Sequence, residues 1–328
     1  MERQVCSGNS KTGNRLKRMK TVLLTGATGY IGQFAVRHLL RKDYTVHAVT
    51  SKPLNRNSVE DVIWHRANLL DADEVKDLLK KAQPTHLLHF AWYVEHGKFW
   101  NAGENFDWLQ ASLILARRFI ENGGKRIVVS GTCAEYDWTK ESPFSEFDTP
   151  FGPQTLYGAA KNSLALTLEK FAQISECSFA AGKIFFPFGA NESPNRLIPS
   201  VIRALLENKL AETSHANQIR DFLYVEDVAE AFVELLDSDV RGAVNIASGK
   251  GIKLKEIIET IADIIGKPEL LRIGALPVSA AEPSEIIADT TRLREEVAFK
   301  KDYDLRESLE ETISWWREYM KAKIDTDK

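Results

Sequence analysis

The stretch "TGATGYIG", Thr25 to Gly32, lies between the apolar run "TVLLT" and "YIGQFAVRHLLRKD", whose apolar residues recur at helical spacing. A strand that turns through closely spaced glycines into a helix suits one task well. Glycines permit positive φ and let the backbone approach a ligand closely. The helix beginning near Tyr30 aims unpaired N–H groups and the positive end of its dipole at an anion. In this strand–turn–helix context the pattern reads as a pyrophosphate-binding turn, with Gly26, Thr28, Gly29, Tyr30, Ile31 and Gly32 as the contacting residues.

Outward from the turn, short apolar runs alternate with longer amphipathic ones. "YTVHAVT", "VIWHRANL", "THLLHFA", "RIVVSG" and "FAAGKIFF" read as strands. "DADEVKDLLKKA", "FDWLQASLILARRFIENG" and "YGAAKNSLALTLEKFAQ" read as the helices between them. Strands rich in Val, Ile and Leu that alternate with helices indicate an α/β fold with a doubly wound parallel sheet of the Rossmann type. After Pro187 the alternation loosens: "RLIPSVIRALLENK" and "DFLYVEDVAEAFVELLDS" are expected as helices and "AVNIAS" as a strand. The chain thus divides into a basic leader at 1–19, a dinucleotide domain at 20–186 and a smaller, mostly helical C-terminal lobe at 187–328, with 221–248 returning to the sheet.

Bulk properties narrow the function. The 328 residues are 44% hydrophobic and 27% charged, as in globular proteins. A formal net charge of −3 gives no electrostatic case for nucleic acid or an anionic membrane as partner. No apolar run is long enough to span a bilayer. Three cysteines, Cys6, Cys133 and Cys177, without a CxxC or a His-rich companion, argue against a disulfide framework or a metal site and fit a reducing cytoplasm. The first residues, "MERQVCSGNSKTGNRLKRMK", lack the apolar segment of a secretory signal and read as a leader ahead of Met19.

The end of the second strand sets the choice of dinucleotide. A carboxylate there binds the adenosine ribose hydroxyls of NAD, whereas a cation and hydroxyls suit the 2′-phosphate of NADP. "VHAVTSK" supplies Thr50, Ser51 and Lys52 and no carboxylate, so NADP is the expected cofactor and NAD the alternative. Asn68 and Leu69 after the third strand, and Phe90 and Ala91 after the fourth, complete the expected cofactor contacts.

Roughly halfway along, "LYGAAK" places Tyr157 four residues before Lys161, on one face of a helix. With the glycine turn upstream and "RDFLYVEDVAEA" downstream, the chain from Thr21 to about Tyr319 resembles the extended short-chain dehydrogenase/reductase family. Its members include NAD(P)-dependent nucleotide-sugar epimerases, dehydratases and 4-ketoreductases. The resemblance implies that Tyr157 is the general acid/base and that Lys161 serves it while holding the nicotinamide ribose. Physically, an isolated tyrosine titrates near 10, and a neighbouring ammonium favours the phenolate. The third member is a Ser or Thr four residues before a tyrosine; in "VVSGTCAEYDW" this selects Thr132 over Ser130. Its hydroxyl would bond the substrate oxygen where charge develops.

The same resemblance narrows the subclass. Dehydratases of this family carry Asp-Glu after the Thr; Cys133 and Ala134 stand here, which leaves β-elimination without its catalysts. Cys133 reads as a packed thiol. Trp108 occupies the position of a usual Asn, with Asn105 one turn earlier. Phe186 replaces an Asn that contacts the substrate phosphate, and Ser279 replaces a clamping arginine, while Arg220 matches the phosphate-contacting one and Arg196 is a second candidate. The aromatic loop "AWYVEHGKFWNAGENFDW" contributes Trp92, Tyr93, Phe99, Trp100 and Trp108 as candidate walls of a substrate site, with Trp92 the leading one.

The expected function is NADPH-dependent reduction of a keto group on a nucleotide-linked 4-keto-6-deoxy sugar, with Tyr157 as proton donor. The alternatives are an NAD-dependent nucleotide-sugar 4-epimerase and a non-catalytic NADP sensor. Apolar stripes in "LQASLILARRF" and "LALTLEKF" match the helices through which the family often forms homodimers.

Overall fold

The computed structural model describes residues 20–53, 61–277, 283–300 and 304–326. The basic leader at 1–19 and Ser279 lie outside the described residues. In chain order the first half comprises β1 (Thr21–Thr25), α1 (Gly32–Arg41), β2 (Thr45–Thr50), β3 (Val62–Arg66), α2 (Ala72–Ala82), β4 (His86–His89), α3 (Glu104–Glu121), β5 (Arg126–Thr132), α4 (Leu156–Ile174) and β6 (Ser178–Ile184). There follow β7 (Phe186–Phe188), α5 (Leu197–Leu206), β8 (Ala211–Thr213), β9 (Ile219–Tyr224), α6 (Val225–Asp237) and β10 (Gly242–Ile246). The chain ends with β11 (Gly251–Lys253), α7 (Leu254–Ile265), β12 (Leu271–Ile273), β13 (Glu285–Ile286) and α8 (Leu305–Thr326).

Seven strands form the central sheet in the order β10-β6-β5-β4-β1-β2-β3, every neighbouring pair parallel. This is the doubly wound Rossmann-type sheet, with its strand order reversing beside β1. Successive side chains of a strand point to opposite faces, and the core divides accordingly. Val22 and Leu24 of β1, Val46 of β2 and Val128 of β5 pack with α1 and α6. Leu23, Ile127, Val129 and Phe179 pack with Leu79 of α2, Phe119 of α3 and Leu164 of α4. Each such apolar side chain contributes roughly 1.5–3 kcal/mol by leaving water, so both faces of every central strand are fixed.

The second lobe is built on two small sheets as well as helices. β9 pairs with β7, β11 and β13, and β12 pairs with β8. Ile198, Ile202, Ile258, Ile261 and Leu309 of its helices continue the same core that lies under α1 and α6. One expectation is corrected here. The run "DFLYVEDVAEAFVELLDS" is helical only from Val225; Ile219–Tyr224 is the strand β9. Its backbone pairs with β11 and β7, and the Asp221 carboxylate accepts the backbone N–H groups of Ser248, Gly249 and Ala288. Tertiary pairing thereby overrides a helical pattern that the acidic residues downstream continue.

Candidate active site

The glycine turn follows β1 at the point where the strand order reverses. Gly26 has φ +68°, and a Cβ there would stand 2.9 Å from the Ala91 nitrogen, so the turn needs glycine both for its torsion and for contact with the end of β4. No side chain caps the N-terminus of α1, and its first turn holds no acidic residue. A Cβ on Gly29 would meet only atoms of Gly26 within 4 Å, leaving the space over the turn open. An uncapped helix N-terminus beneath an open backbone turn fits the pyrophosphate of a dinucleotide. Phe90 and Ala91 border this cradle; Phe90 packs edge-on against Phe232 at 4.9 Å, and the Ala91 N–H reaches the Thr25 hydroxyl at 3.3 Å.

At the far edge, Thr28 and Thr50 bring their hydroxyls to 3.3 Å, and the Thr50 hydroxyl accepts the Lys52 backbone N–H at 3.1 Å. Ser51 and Lys52 are exposed. Asn68 is exposed, its side-chain oxygen accepting the Leu70 N–H at 3.1 Å, while Leu69 is buried. The Tyr30 hydroxyl is buried and without a hydrogen-bond partner.

The proton-transfer candidates converge where β5 ends and α4 begins. Thr155 caps α4 through the Gly158 N–H at 3.1 Å, which fixes the first turn carrying Tyr157. Thr132, the last residue of β5, accepts the Ala134 N–H at 3.2 Å and stands near enough to the Tyr157 phenol to favour its ionisation. One turn along α4, the Lys161 ammonium donates to the Ser130 carbonyl at 2.9 Å and to its hydroxyl at 3.3 Å. Thr132 thus meets the tyrosine and Ser130 the lysine. Lys161 also lies 4.0 Å from the centre of the Trp92 ring.

The electrostatics differ from the expectation of a phenol lowered by its lysine. Burial first, then the Glu135 carboxylate, push the Tyr157 phenol well above its usual value, with Thr132 opposing. Burial pushes Lys161 down to about 7, against the pull of Glu135. Desolvation disfavours the charged form of each group. His89, bonded to Thr25 at 2.7 Å and Ser112 at 2.9 Å, is pushed by burial to about 3 and stays neutral beside them. Cys133, pushed up to about 12 by burial, is a packed thiol rather than a nucleophile.

Beneath Thr132 lies an ion pair absent from the expected site. Glu135 and Lys183 are 0% and 1% exposed and directly bonded to each other. The other Glu135 oxygen accepts the Thr132 backbone N–H at 2.8 Å, closing a capping box over the turn Cys133–Glu135. Gly131 leaves room for the pair: a Cβ there would stand 2.6 Å from that oxygen. Nothing local in the sequence marks it, since Lys183 reaches Glu135 only through the β5–β6 register, in which it stands opposite Gly131.

The expected substrate residues are scattered around the cleft. The Trp92 indole is buried and donates to Asn105 at 2.9 Å; it roofs Lys161 instead of forming an exposed wall. The rings at Tyr157 are those of Phe99, 4.9 Å away, and Trp100, 5.9 Å away, both edge-on, with Trp138 next to Trp100 at 6.5 Å. Arg220 is buried, donating to the carbonyls of Ile219 and Pro283 at 2.8 Å each, with its guanidinium 5.5 Å from the Phe186 ring. Arg196 pairs with Glu192 at 2.9 Å. Glu192 is buried, one of its oxygens has no hydrogen-bond partner, and desolvation raises it to about 7. Among the described residues no group of three His, Cys, Asp or Glu side chains could hold a metal ion, and no helix is long and apolar enough to cross a membrane.

Comparison with known proteins agrees with this geometry. The family model described as "NAD dependent epimerase/dehydratase family" matches residues 22–247. A UDP-glucose 4-epimerase of Bacillus subtilis (strain 168) is 26% identical over 90% of this chain and 96% of its own length. Among solved structures, UDP-N-acetylglucosamine 4-epimerase from Methanobrevibacter ruminantium, in complex with UDP-N-acetylmuramic acid, superposes with a TM-score of 0.82 at 27% identity, over 92% of this chain and 99% of that one. The UDP-glucose 4-epimerase of Thermus thermophilus in complex with NAD gives a TM-score of 0.79 at 20% identity, over 90% and 99% of the two chains, a likeness of fold. The matched residues contain the glycine turn, Thr132, Tyr157 and Lys161, and the chain belongs to the NAD-dependent epimerase/dehydratase family of extended short-chain dehydrogenase/reductase enzymes.

Proposed function

We propose that this enzyme uses NADPH to reduce a keto group, that of a nucleotide-linked 4-keto-6-deoxy sugar. The observation that carries the cofactor choice is the end of β2. Thr50, Ser51 and Lys52 offer hydroxyls and a cation there, and no carboxylate stands among them. Gly26, Thr28, Gly29, Tyr30, Ile31 and Gly32 would hold the pyrophosphate, with Ser51 and Lys52 on the 2′-phosphate. A reduced nicotinamide bound in this cleft supplies the hydride. Tyr157 gives its phenolic proton to the carbonyl oxygen as the carbon becomes a carbinol, so one hydride and one proton complete the reduction. Thr132 donates to the same oxygen, steadying the developing alkoxide. Lys161 stabilises the phenolate left on Tyr157 and contacts the ribose. Phe99 and Trp100, edge-on to the phenol, shield the proton transfer from water. Arg196, Arg220 and Phe186 are the candidates to contact the sugar and nucleotide.

A second reading, a nucleotide-sugar 4-epimerase with tightly held NAD, is favoured by the Bacillus subtilis and Methanobrevibacter ruminantium 4-epimerases above, each matched over nearly its whole length. The same triad serves both readings. The convergence of Thr132, Tyr157 and Lys161 where β5 ends and α4 begins counts against a non-catalytic sensor. Mass spectrometry of the cofactor that copurifies separates the first two: NAD surviving gel filtration supports the epimerase. An empty site that consumes NADPH stoichiometrically with a keto-sugar supports the reductase.

The proposal extends to a homodimer in the cytoplasm. Phe106 of α3 is 64% exposed, and Leu166 and Ile174 of α4 are 49% and 82% exposed, apolar surface that a second copy would cover. Cys133 and Cys177 are free thiols, in keeping with a reducing compartment. Light scattering should give twice the chain mass at micromolar concentration; a monomer would sink the dimer.

A further inference from the structure

We propose that Glu135, anchored by Lys183, is a positioning residue that acts as the standing counter-ion of Lys161 and fixes the backbone of Thr132. This rests on the reading of Thr132, Tyr157 and Lys161 as the proton-transfer triad. The geometry brings both lysines to one short segment of β5. Lys161 donates to Ser130, Lys183 stands opposite Gly131, and Glu135 reaches back to the Thr132 N–H. Two buried ammonium groups therefore flank a segment whose one buried carboxylate is Glu135, bonded directly to Lys183. Two like charges in low dielectric without a counter-charge are strongly unfavourable. Glu135 balances them and, through its second oxygen, ties that balance to the position of the Thr132 hydroxyl.

The groups around Lys161 are few. Glu135 raises its pKa and Lys183 lowers it, with Glu135 the stronger of the two. His89 behind it is neutral, Trp92 presents a ring, and Ser130 offers uncharged oxygens. Tyr157 on the same helix feels Glu135 and Cys133 raising it and Arg196 and Thr132 lowering it. The carboxylate thus favours the charged form of Lys161, against burial, while it disfavours ionisation of Tyr157. A protonated phenol is the state required of a proton donor before hydride arrives.

The test reads the charge on Lys161 and not turnover, so it can fail while the reductase reading stands, and the reverse. Lysine is labelled with ¹³C at Cε, the Lys161 signal is assigned by its loss in Lys161→Met, and its titration is followed by NMR in the ligand-free protein. Glu135→Gln keeps an acceptor for the Thr132 N–H but removes the charge, and should lower the Lys161 midpoint by about one unit or more. Lys183→Met removes the competing cation and should raise it. Opposite shifts are the signature of a counter-ion and its anchor; shifts of the same sign, or none in either variant, overturn the proposal. Should either single variant fail to fold by circular dichroism, the double variant Glu135→Gln/Lys183→Met decides. A lowered Lys161 midpoint there sustains the proposal, and an unchanged or raised one overturns it.

Discussion

Two polar corners of the same cleft are built on opposite plans. At the junction of β5 and α4, Thr132, Lys161, Glu135 and Lys183 are all buried, and each is held by at least one further polar group. At the end of β2, Ser51 and Lys52 stand exposed, and the Lys52 link to Thr50 is made by its backbone N–H. The first corner has its geometry before any ligand arrives, and its electrostatics are little screened by water. The second is open to solvent, and its side chains must be ordered by the ligand they select. Substitutions in the first should therefore change chemistry or stability by large factors, and those in the second should change affinity modestly.

The sharpest test is Tyr157→Phe. If Tyr157 is the proton donor and its hydroxyl serves only that transfer, turnover should fall about 10²- to 10⁴-fold with NADPH affinity nearly unchanged. Lys161→Ala should damage both if, as proposed, the ammonium serves the phenolate and the ribose. Steady-state rates beside fluorescence titrations of cofactor measure the pair. Full turnover in Tyr157→Phe would remove the phenol from the mechanism.

Next in size is the stability held in the buried pair. Lys183→Met strands the Glu135 carboxylate among apolar neighbours, and breaking such a pair on one side costs about 3–5 kcal/mol. The double variant Glu135→Gln/Lys183→Met should recover most of that loss, since it leaves no buried charge behind. Urea denaturation of the three proteins gives the comparison directly. A double variant no more stable than Lys183→Met would mean that packing of the lysine stem, not charge, holds this corner.

These two corners also show what the sequence made legible. The glycine turn and the Tyr157–Lys161 pair are local patterns, set by glycine torsions and by helical spacing, and the turn and the helix are where the sequence puts them. Glu135 and Lys183 are 48 positions apart and meet only because β5 and β6 pair in one register. No periodicity encodes that. The aromatic loop was visible as a cluster, yet which ring meets Tyr157 depends on the turn at Phe99–Asn101, and the side chains that arrive are Phe99 and Trp100 while Trp92 turns inward. β9 was hidden for a related reason: its partners β7, β11 and β13 come from three separate segments.

A pH prediction sharpens the contrast further. Burial lowers Lys161 to about 7 in the folded protein, below an unfolded value near 10.4. Between those values the unfolded chain binds more protons, so stability rises with pH, and the full penalty is present below about 7. Glu192 is raised to about 7 from a model value of 4.5. Between these the folded protein binds more protons, so stability falls as pH rises. Together the two groups place a shallow minimum of ligand-free stability near neutrality. Thermal melts from pH 5 to 10 should show it; Lys161→Met should flatten the alkaline rise and Glu192→Gln the acid-side fall. A wild-type profile that instead peaks at pH 7, unchanged in both variants, would show that neither group governs it.

The smallest effects belong to the exposed corner. If Ser51 and Lys52 receive the 2′-phosphate, Lys52→Ala removes a charge-assisted contact worth on the order of 1.5–3 kcal/mol, reduced toward the lower end by solvent screening. NADPH affinity should then fall about ten-fold, with NADH almost unaffected because it carries no phosphate there. Ser51→Asp should act in both directions, repelling the 2′-phosphate of NADPH and offering the ribose hydroxyls of NADH an acceptor. Raising the salt concentration should shrink the Lys52 effect, as it does for exposed charges generally, and leave the Tyr157→Phe loss untouched. Titrating both cofactors against both variants by tryptophan fluorescence at two ionic strengths tests each statement. Equal losses for NADPH and NADH, or no loss for either, would mean that this loop does not read the phosphate. The epimerase reading would then gain on the reductase, since the carboxylate-free end of β2 is what separates them.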